Sequence, residues 1–164
     1  MKFSMARILL AGFLGDNNSS KVILDKCSGD FTKLYLENDF QKCADQIDSA
    51  VSSSSYDIII VLGQKPVIKA IYIELVGKSQ LSVIQTQYDY TAFADFLFSH
   101  GYRVKFSNNA GNYLCNHVYF SGLQSIKTES STAKMLFVHV PYLHNILDVD
   151  HLAATISYYL NREA

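Results

Sequence analysis

Three short runs of aliphatic residues constrain the fold of this chain most strongly. Residues 6–12 (ARILLAG), 57–63 (DIIIVLG) and 134–140 (KMLFVHV) are rich in Ile, Leu and Val and hold few polar residues. Such runs are typical of strands covered on both faces, whereas a strand with one wet face would alternate apolar and polar residues. The sequence therefore predicts a sheet that lies between two layers of other structure.

Helical patterns and weaker strands fill the intervals between these runs. Strands are predicted at 31–36, 69–76 and 102–106, and helices from Asn38, from Asp89 to Gly101, over 113–126 and from Asp148. The polar segment that follows the first strand is interpreted as a loop. Strands that alternate with helices indicate an α/β fold. We expect a single domain over 1–164, a three-layer α/β/α sandwich around a mostly parallel, mixed sheet.

Charge and hydropathy argue against two classes of partner. The formal net charge is −1 over 164 residues, so no basic surface for nucleic acid or an acidic membrane is indicated. No apolar run approaches the roughly 20 residues that span a bilayer. The N-terminal segment MKFSMARILLAGFLGDNN superficially resembles a signal peptide. It is interpreted as the first strand, because its apolar part is short and opens into a polar loop.

The cysteines and histidines fit neither a disulfide framework nor a zinc site. The three cysteines, Cys27, Cys43 and Cys115, are few and scattered, and no CxxC pair occurs. The five histidines do not fall at zinc-ligand spacing. We therefore expect a reducing, cytoplasmic environment and no bound metal.

Four candidate functional residues follow predicted strands at their carboxyl ends. They are Phe13, Gln64, Cys115 and His139. In sheets of this kind ligands bind beyond the carboxyl ends of the strands. The four side chains are therefore expected to face one site.

Cys115 lies in GNYLCNHVYF, at the predicted start of a helix, and allows two interpretations. A free cysteine is often a small buried hydrophobe. A helix N-terminus and a nearby imidazole would instead lower the thiol pKa below its ordinary value of about 8.5 and create a nucleophile. Val118 and Leu123 share a helix face with Cys115, so its sulfur is expected to point inward. His117 lies off that face and is interpreted as a solvent-facing or capping residue.

His139 is the better candidate for a base. It ends an aliphatic strand, and Pro141 then stops the ladder. A strand-end histidine is more often structural, which is how His100, His144 and His151 are interpreted. Glu74 ends the strand segment AIYIE and is either an exposed carboxylate or the group that orients an imidazole. Periodicity alone cannot bring Glu74 to His139.

Two segments resemble a known family. SNNAGNYLCNHVYF and LFVHVPYL resemble the signature segments of the pyroglutamyl peptidases (pyrrolidone-carboxylate peptidases). In that family an Ala-Gly-x-aromatic-x-Cys-Asn run carries the nucleophile and a His-Val-Pro run carries the base. LGQ at 62–64 with AIYIELVG is similar to the Gly-Gln stretch and the segment that holds the catalytic Glu. ILLAGF at 8–13 is similar to the N-terminal strand and Gly-Phe turn, and the order along the chain agrees.

The resemblance implies a phosphorylase/hydrolase-like fold and a cytosolic cysteine exopeptidase. Its substrate would be a peptide with N-terminal pyroglutamate. It would need no metal or organic cofactor, bind neither nucleic acid nor membrane, and form a homo-oligomer. The implied catalytic residues are Cys115 as the nucleophile, His139 as the general base and acid, and Glu74 as its orienter. The implied substrate-binding residues are Phe13 against the lactam ring, Gln64, Tyr113 on the other side of the ring, and Leu114.

The chain also departs from the family pattern and is expected to be a shortened, divergent member. GFLGDNNSS replaces a Pro-Phe-Gly-Gly run that supplies a second aromatic wall, which leaves Phe13 and Tyr113 as the expected aromatic contacts. GKSQLSVIQTQYDY passes almost directly from Glu74 to the next helix and contains no Arg. Two functions follow. The first is a peptidase with a reduced pocket. The alternative is a homologue of altered specificity or without activity that serves as a ligand-binding or interaction module.

Overall fold

The three aliphatic runs form the centre of a six-stranded sheet. The structure, a computed structural model, describes residues 5–163. Its strands are β1 (Ile8–Phe13), β2 (Thr32–Leu36), β3 (Ile58–Lys65), β4 (Ile71–Glu74), β5 (Val76–Lys78), β6 (Val83–Gln85), β7 (Val104–Ser107) and β8 (Lys134–Pro141). Its helices are α1 (Ser19–Lys26), α2 (Phe40–Ser52), α3 (Tyr90–Ser99), α4 (Leu114–Thr128) and α5 (Val149–Glu163), with a 3₁₀ turn at Leu143–Asn145.

The order of strands in the main sheet is β2-β1-β3-β8-β4-β7. All neighbouring pairs are parallel except β4 and β8, which are antiparallel. Helices α1, α3 and α5 pack on one face of the sheet, and α2 and α4 pack on the other. The predicted three-layer α/β/α sandwich with a mostly parallel, mixed sheet is confirmed.

Burial on both faces explains why the central strands are so aliphatic. Along β3, Ile60 and Leu62 face the layer of α1, α3 and α5, while Ile59 and Val61 face the layer of α2 and α4. All four side chains are at most 1% exposed. Each residue of the strand leaves water, so no position favours a polar side chain.

Two elements differ from the sequence-based expectations. Helix α1 occupies part of the segment that was predicted to be a loop, because Asn18 caps its first turn by accepting from the Ser20 N–H. Only Ile23 and Leu24 give it a buried apolar contact. The predicted strand over 69–76 is two strands that separate at Leu75, and the second, β5, pairs with β6 in a small hairpin. A hairpin of such short strands has little periodicity to detect.

The structure describes only part of the signal-like N-terminal segment. Residues 1–4, which include the basic start of the signal-like segment, and residue 164 lie outside the described residues. Within 5–163 the apolar part of that segment is strand β1. No helix in this described range has the length and hydropathy to cross a membrane.

Candidate active site

The carboxyl ends of β1, β3 and β8 and the start of α4 surround a cavity of about 560 Å³. Six of the seven residues selected from the sequence line it, namely Phe13, Gln64, Tyr113, Leu114, Cys115 and His139. The seventh, Glu74, is fully buried and lies against His139. The structure therefore brings all seven residues to one place.

Glu74 and His139 meet because β4 runs antiparallel to β8. In this register Glu74 pairs with Phe137 and Tyr72 pairs with His139, so Glu74 and His139 are diagonal neighbours on one face of the sheet. The His139 Nδ1 lies 2.8 Å from the Glu74 Oε1, and neither side chain is more than 3% exposed. A carboxylate only accepts, so this bond places a proton on Nδ1 and leaves Nε2 free to act as a base.

The Glu74 carboxylate has no hydrogen-bond partner other than His139 among residues 5–163. The Tyr119 hydroxyl donates to the Glu74 backbone carbonyl at 2.7 Å, but the carboxylate Oε2 is buried without a hydrogen-bond partner among residues 5–163. A buried carboxylate with one partner strongly attracts a neighbouring positive charge. Glu74 is therefore placed to stabilise an imidazolium at His139.

Cys115 is the second residue of α4, and its sulfur packs on strand β3. A Cβ atom built on Gly63 would lie 2.8 Å from the Cys115 Sγ. Gly63 is the register partner of His139, and paired residues of a parallel sheet present their side chains to the same face. The thiol therefore lies over the β3–β8 pair at the level of the imidazole. Val118 and Leu123 are buried and His117 is exposed, as predicted from the helix pattern.

The expectation of a lowered pKa for the Cys115 thiol is wrong. Burial raises the pKa of Cys115 to about 12, with smaller upward contributions from the charges of Glu74 and Cys43 and a downward one from Lys65. Desolvation is the largest cause, and it disfavours the charged thiolate. The resting site therefore holds a neutral thiol, which needs a base at the moment it reacts.

Alkylation gives a direct check of this thiol. Iodoacetamide is expected to label Cys115 first, because it is half-buried at a cavity wall, whereas Cys27 is 2% and Cys43 0% exposed. Since the thiolate is the reacting form, the rate should rise about tenfold per pH unit between roughly pH 7 and 10, without a plateau. Peptide mapping by mass spectrometry measures both. Earlier labelling of Cys27 or Cys43, or a plateau below about pH 8, would contradict the assignment.

The start of α4 offers hydrogen-bond donors to an anion. Its N-cap residue, Tyr113, makes no side-chain capping hydrogen bond. The first N–H groups of a helix have no partner within the helix, and the Cys115 N–H is one of them. Donors of this kind stabilise the oxyanion that develops when a nucleophile attacks a carbonyl. Nucleophile and oxyanion site would thus share one helix end.

Gln64 is oriented by helix α1, which the sequence analysis had predicted to be a loop. Its Oε1 accepts from the Ser19 N–H at 3.0 Å, and the Ser19 hydroxyl donates to the Pro141 carbonyl at 2.7 Å. Because a backbone N–H fixes the carbonyl end of the amide, the NH₂ end is left as a donor at the cavity. Phe13 is buried beside it, with its ring centroid 6.5 Å from that of Phe137.

Sequence reasoning missed eight residues that line the cavity, namely Asn18, Asn38, Lys65, Pro66, Ala110, Gly111, Asn112 and Tyr142. Asn38 donates to the Leu14 carbonyl at 2.7 Å, and Asn18 caps α1. Tyr142 corrects the expectation that only Phe13 and Tyr113 supply aromatic walls, because it places a third ring at the cavity. Its position directly after the His-Val-Pro run was the signal that could have revealed it.

Gly63 is a sensitive point of this arrangement. A Cβ there would lie 2.6 Å from the Phe137 ring and 2.8 Å from the Cys115 Sγ. Gly63→Ala is therefore expected to displace the thiol and lower kcat about 10²-fold, the effect of a misplacement of roughly 1 Å. Steady-state kinetics at a temperature well below the Tm of the variant measures this.

Gly101→Ala is the matched control. Gly101 has a φ of +94° with nothing within 4 Å of its Cβ position, so alanine there is strained but touches no neighbour. It should lower stability and leave kcat unchanged. Equal kcat values for the two variants would contradict the proposed contact between Gly63 and the thiol.

Part of the chain is similar to known peptidases. Residues 90–162, which contain Cys115 and His139, match the sequence profile described as pyroglutamyl peptidase. The chain is 24% identical to the pyrrolidone-carboxylate peptidase of Thermosipho melanesiensis, over 85% of this chain and 84% of that protein. A stretch covering 23% of this chain is 45% identical to 18% of the pyrrolidone-carboxylate peptidase of Thermococcus kodakarensis.

Solved structures show the same fold. The pyroglutamyl peptidase I of Bacillus amyloliquefaciens superposes with a TM-score of 0.82 at 19% identity, over 96% of this chain and 93% of that one. The pyrrolidone carboxyl peptidase of Thermococcus litoralis gives a TM-score of 0.79 at 18% identity, over 96% and 94%. At these identities the superpositions establish the architecture, and the chemistry has to be argued from the site itself.

Proposed function

We propose that this chain is a divergent member of the pyroglutamyl peptidase family and a cysteine exopeptidase that removes N-terminal pyroglutamate from peptides. One observation carries the proposal. The buried Glu74–His139 pair lies at the cavity that Cys115 also lines, at an uncapped helix start. Nucleophile, base, orienter and oxyanion donors are the parts that acyl transfer requires.

Acylation begins with the neutral thiol. His139 Nε2 takes the proton from Cys115 as Sγ attacks the carbonyl carbon of the pyroglutamyl residue, and the N–H groups at the start of α4 bind the resulting oxyanion. Glu74 stabilises the imidazolium formed in this step. Collapse of the tetrahedral intermediate breaks the C–N bond, and His139 returns the proton to the leaving amine. The product that remains is a thioester on Cys115.

Deacylation uses the same residues, but the proton now moves from water to His139 and then to Cys115. His139, neutral again, takes a proton from water as the water oxygen attacks the thioester carbonyl. The C–S bond breaks, and the proton returns to Cys115. Pyroglutamate leaves with a free carboxylate, so the cycle needs no group beyond water and the residues at the site.

Recognition of the lactam ring follows from the mixed lining of the cavity. The faces of Phe13, Tyr113 and Tyr142 suit a small, mostly apolar ring, and Leu114 closes part of the wall. The free NH₂ of Gln64 would donate to the lactam carbonyl. A proline ring has no such carbonyl, and the loss of one hydrogen bond costs about 0.5–1.5 kcal/mol. Pyroglutamyl substrates should therefore be preferred over prolyl ones.

The burial of Glu74 supports an enzyme over a binding module. Placing a carboxylate in the core costs several kcal/mol unless it is paired. Its one side-chain partner among residues 5–163 is His139, a residue that a purely ligand-binding domain would not need as a base.

The free state of Cys27, Cys43 and Cys115 in the described structure supports the reducing cytoplasm that we propose as the location of the protein.

The proposal is tested by the hydrolysis of a fluorogenic pyroglutamyl amide, with and without prior iodoacetamide treatment. We expect release of the fluorophore that alkylation abolishes, and much slower release from the prolyl analogue. If the folded protein binds the pyroglutamyl amide without releasing the fluorophore, the ligand-binding alternative replaces the peptidase.

A further inference from the structure

A second cavity of about 370 Å³ adjoins the first. The two share Asn112 and Tyr113, the residues that immediately precede α4. The outer wall of the second cavity is formed by Phe40 at the start of α2 and Lys78 in the β5–β6 hairpin. A chain that leaves the first cavity over Tyr113 therefore enters the second.

Two exposed aromatic rings form the boundary between the cavities. Phe40 is 45% exposed and Tyr113 66% exposed, and their rings meet edge to face at 5.3 Å. The Phe40 ring also contacts His117, with centroids 5.0 Å apart. Neither aromatic side chain is needed to fill the core, so both are free to pack against a bound group.

The hairpin is fixed to the helix that carries the nucleophile. The Asn116 Oδ1 accepts from the Lys78 N–H at 3.0 Å, and its Nδ2 donates to the Lys78 carbonyl at 2.8 Å. Because Asn116 follows Cys115 directly, these two bonds set the position of Lys78 relative to the thiol. The residues that line the two cavities include Lys65 and Lys78 but no Asp or Glu. The pair of cavities is therefore complementary to a negatively charged ligand.

We propose that the second cavity is a groove that binds the leaving part of the substrate. An aromatic side chain that follows pyroglutamate packs on Phe40 and Tyr113, and a carboxylate of the substrate lies near Lys78. The inference rests on the proposed function, because it takes the first cavity as the lactam site. The preferred substrates are then short acidic or carboxylate-terminated peptides in which an aromatic residue follows pyroglutamate. One residue of extended chain spans about 3.3–3.6 Å, so a short peptide that follows pyroglutamate extends past Tyr113 towards the groove.

Kinetics of substrate pairs tests the aromatic contact. Phe40→Ala should lower kcat/KM for pyroglutamyl-phenylalanine about three- to tenfold and leave that for pyroglutamyl methylamide, which has no side chain beyond the ring, unchanged. Phe40→Tyr should restore the wild-type value. Phe98→Ala is the matched control, since Phe98 is 74% exposed on α3, on the other face of the sheet.

The charge contact is tested in the same way. Lys78→Ala should lower kcat/KM about two- to fivefold for pyroglutamyl-phenylalanine but not for its C-terminal amide, and added salt should reduce this difference. If Phe40→Ala lowers the values for phenylalanine and methylamide substrates equally, the groove does not bind the leaving peptide, although the peptidase activity stands.

A binding measurement separates failure of this inference from failure of the proposed function. Calorimetric titration of Cys115→Ala gives the Kd of pyroglutamyl-phenylalanine without turnover. A Kd that weakens with Phe40→Ala supports the groove even if the wild-type protein hydrolyses nothing, in which case only the proposed function fails. No change in that Kd overturns the groove whatever the kinetics show.

Discussion

Replacing Cys115 with Ala is expected to lower kcat for a pyroglutamyl amide by at least about 10⁴-fold, the scale on which removal of a nucleophile acts. The fold should persist, because Cys115 is only half-buried at a cavity wall. A fluorogenic assay with a thermal melt measures both. Cys27→Ala is the control: Cys27 packs in the opposite layer, so its loss should lower stability while activity remains.

Activity in Cys115→Ala within about tenfold of wild type would contradict the account, because no second thiol lines the cavity among residues 5–163. Loss of activity in both cysteine variants at a temperature where both are folded would equally remove the special role of Cys115.

Replacing His139 with Ala should lower kcat about 10²–10⁴-fold, the range for the loss of a positioned general base. The resting thiol has a pKa of about 12, so without the imidazole very little thiolate forms near neutral pH. Part of the lost rate should return as pH is raised, because hydroxide then generates the thiolate. A kcat–pH profile from about pH 7 to 10 tests this recovery.

Stability has to be separated from catalysis in this variant. Removing the imidazole leaves the Glu74 carboxylate buried and unpaired, which is strongly destabilising. The double variant with Glu74→Gln removes that charge, so it should regain stability while kcat stays low. His100→Ala serves as the histidine control, since His100 is exposed and contacts the Phe96 carbonyl. Recovery of kcat in the double variant would mean that His139 is structural.

The central strands could be predicted because their environment acts on every residue. Both faces of β1, β3 and β8 are buried, so the aliphatic runs extend along almost the whole strand. Helix α1 gave no comparable signal, since its three apolar residues are consecutive in SSKVILDK and show no helical period. The β5–β6 hairpin was also missed, because each of its strands has three residues and only Gly77 is buried.

The members of the site could be predicted, but their contacts could not. Cys115 and His139 stand in recognisable segments at strand and helix ends. The approach of Glu74 to His139 depends on the antiparallel register of β4 and β8, which no local pattern encodes. The thiol pKa depends on how deeply Cys115 packs against Gly63, so the helix end alone gave the wrong direction.

The central claim is that Cys115 carries the pyroglutamyl group as a thioester, and rapid-quench mass spectrometry tests it most directly. The wild-type protein is mixed with a pyroglutamyl amide, acid-quenched at early times and digested with pepsin at low pH. We expect the peptide that contains Cys115 to gain the mass of one pyroglutamyl group, transiently, at the rate of amine release, and to remain unmodified in Cys115→Ala. Amine release at full rate from the wild-type protein with no adduct at any quench time, together with undiminished turnover in Cys115→Ala, would contradict the account.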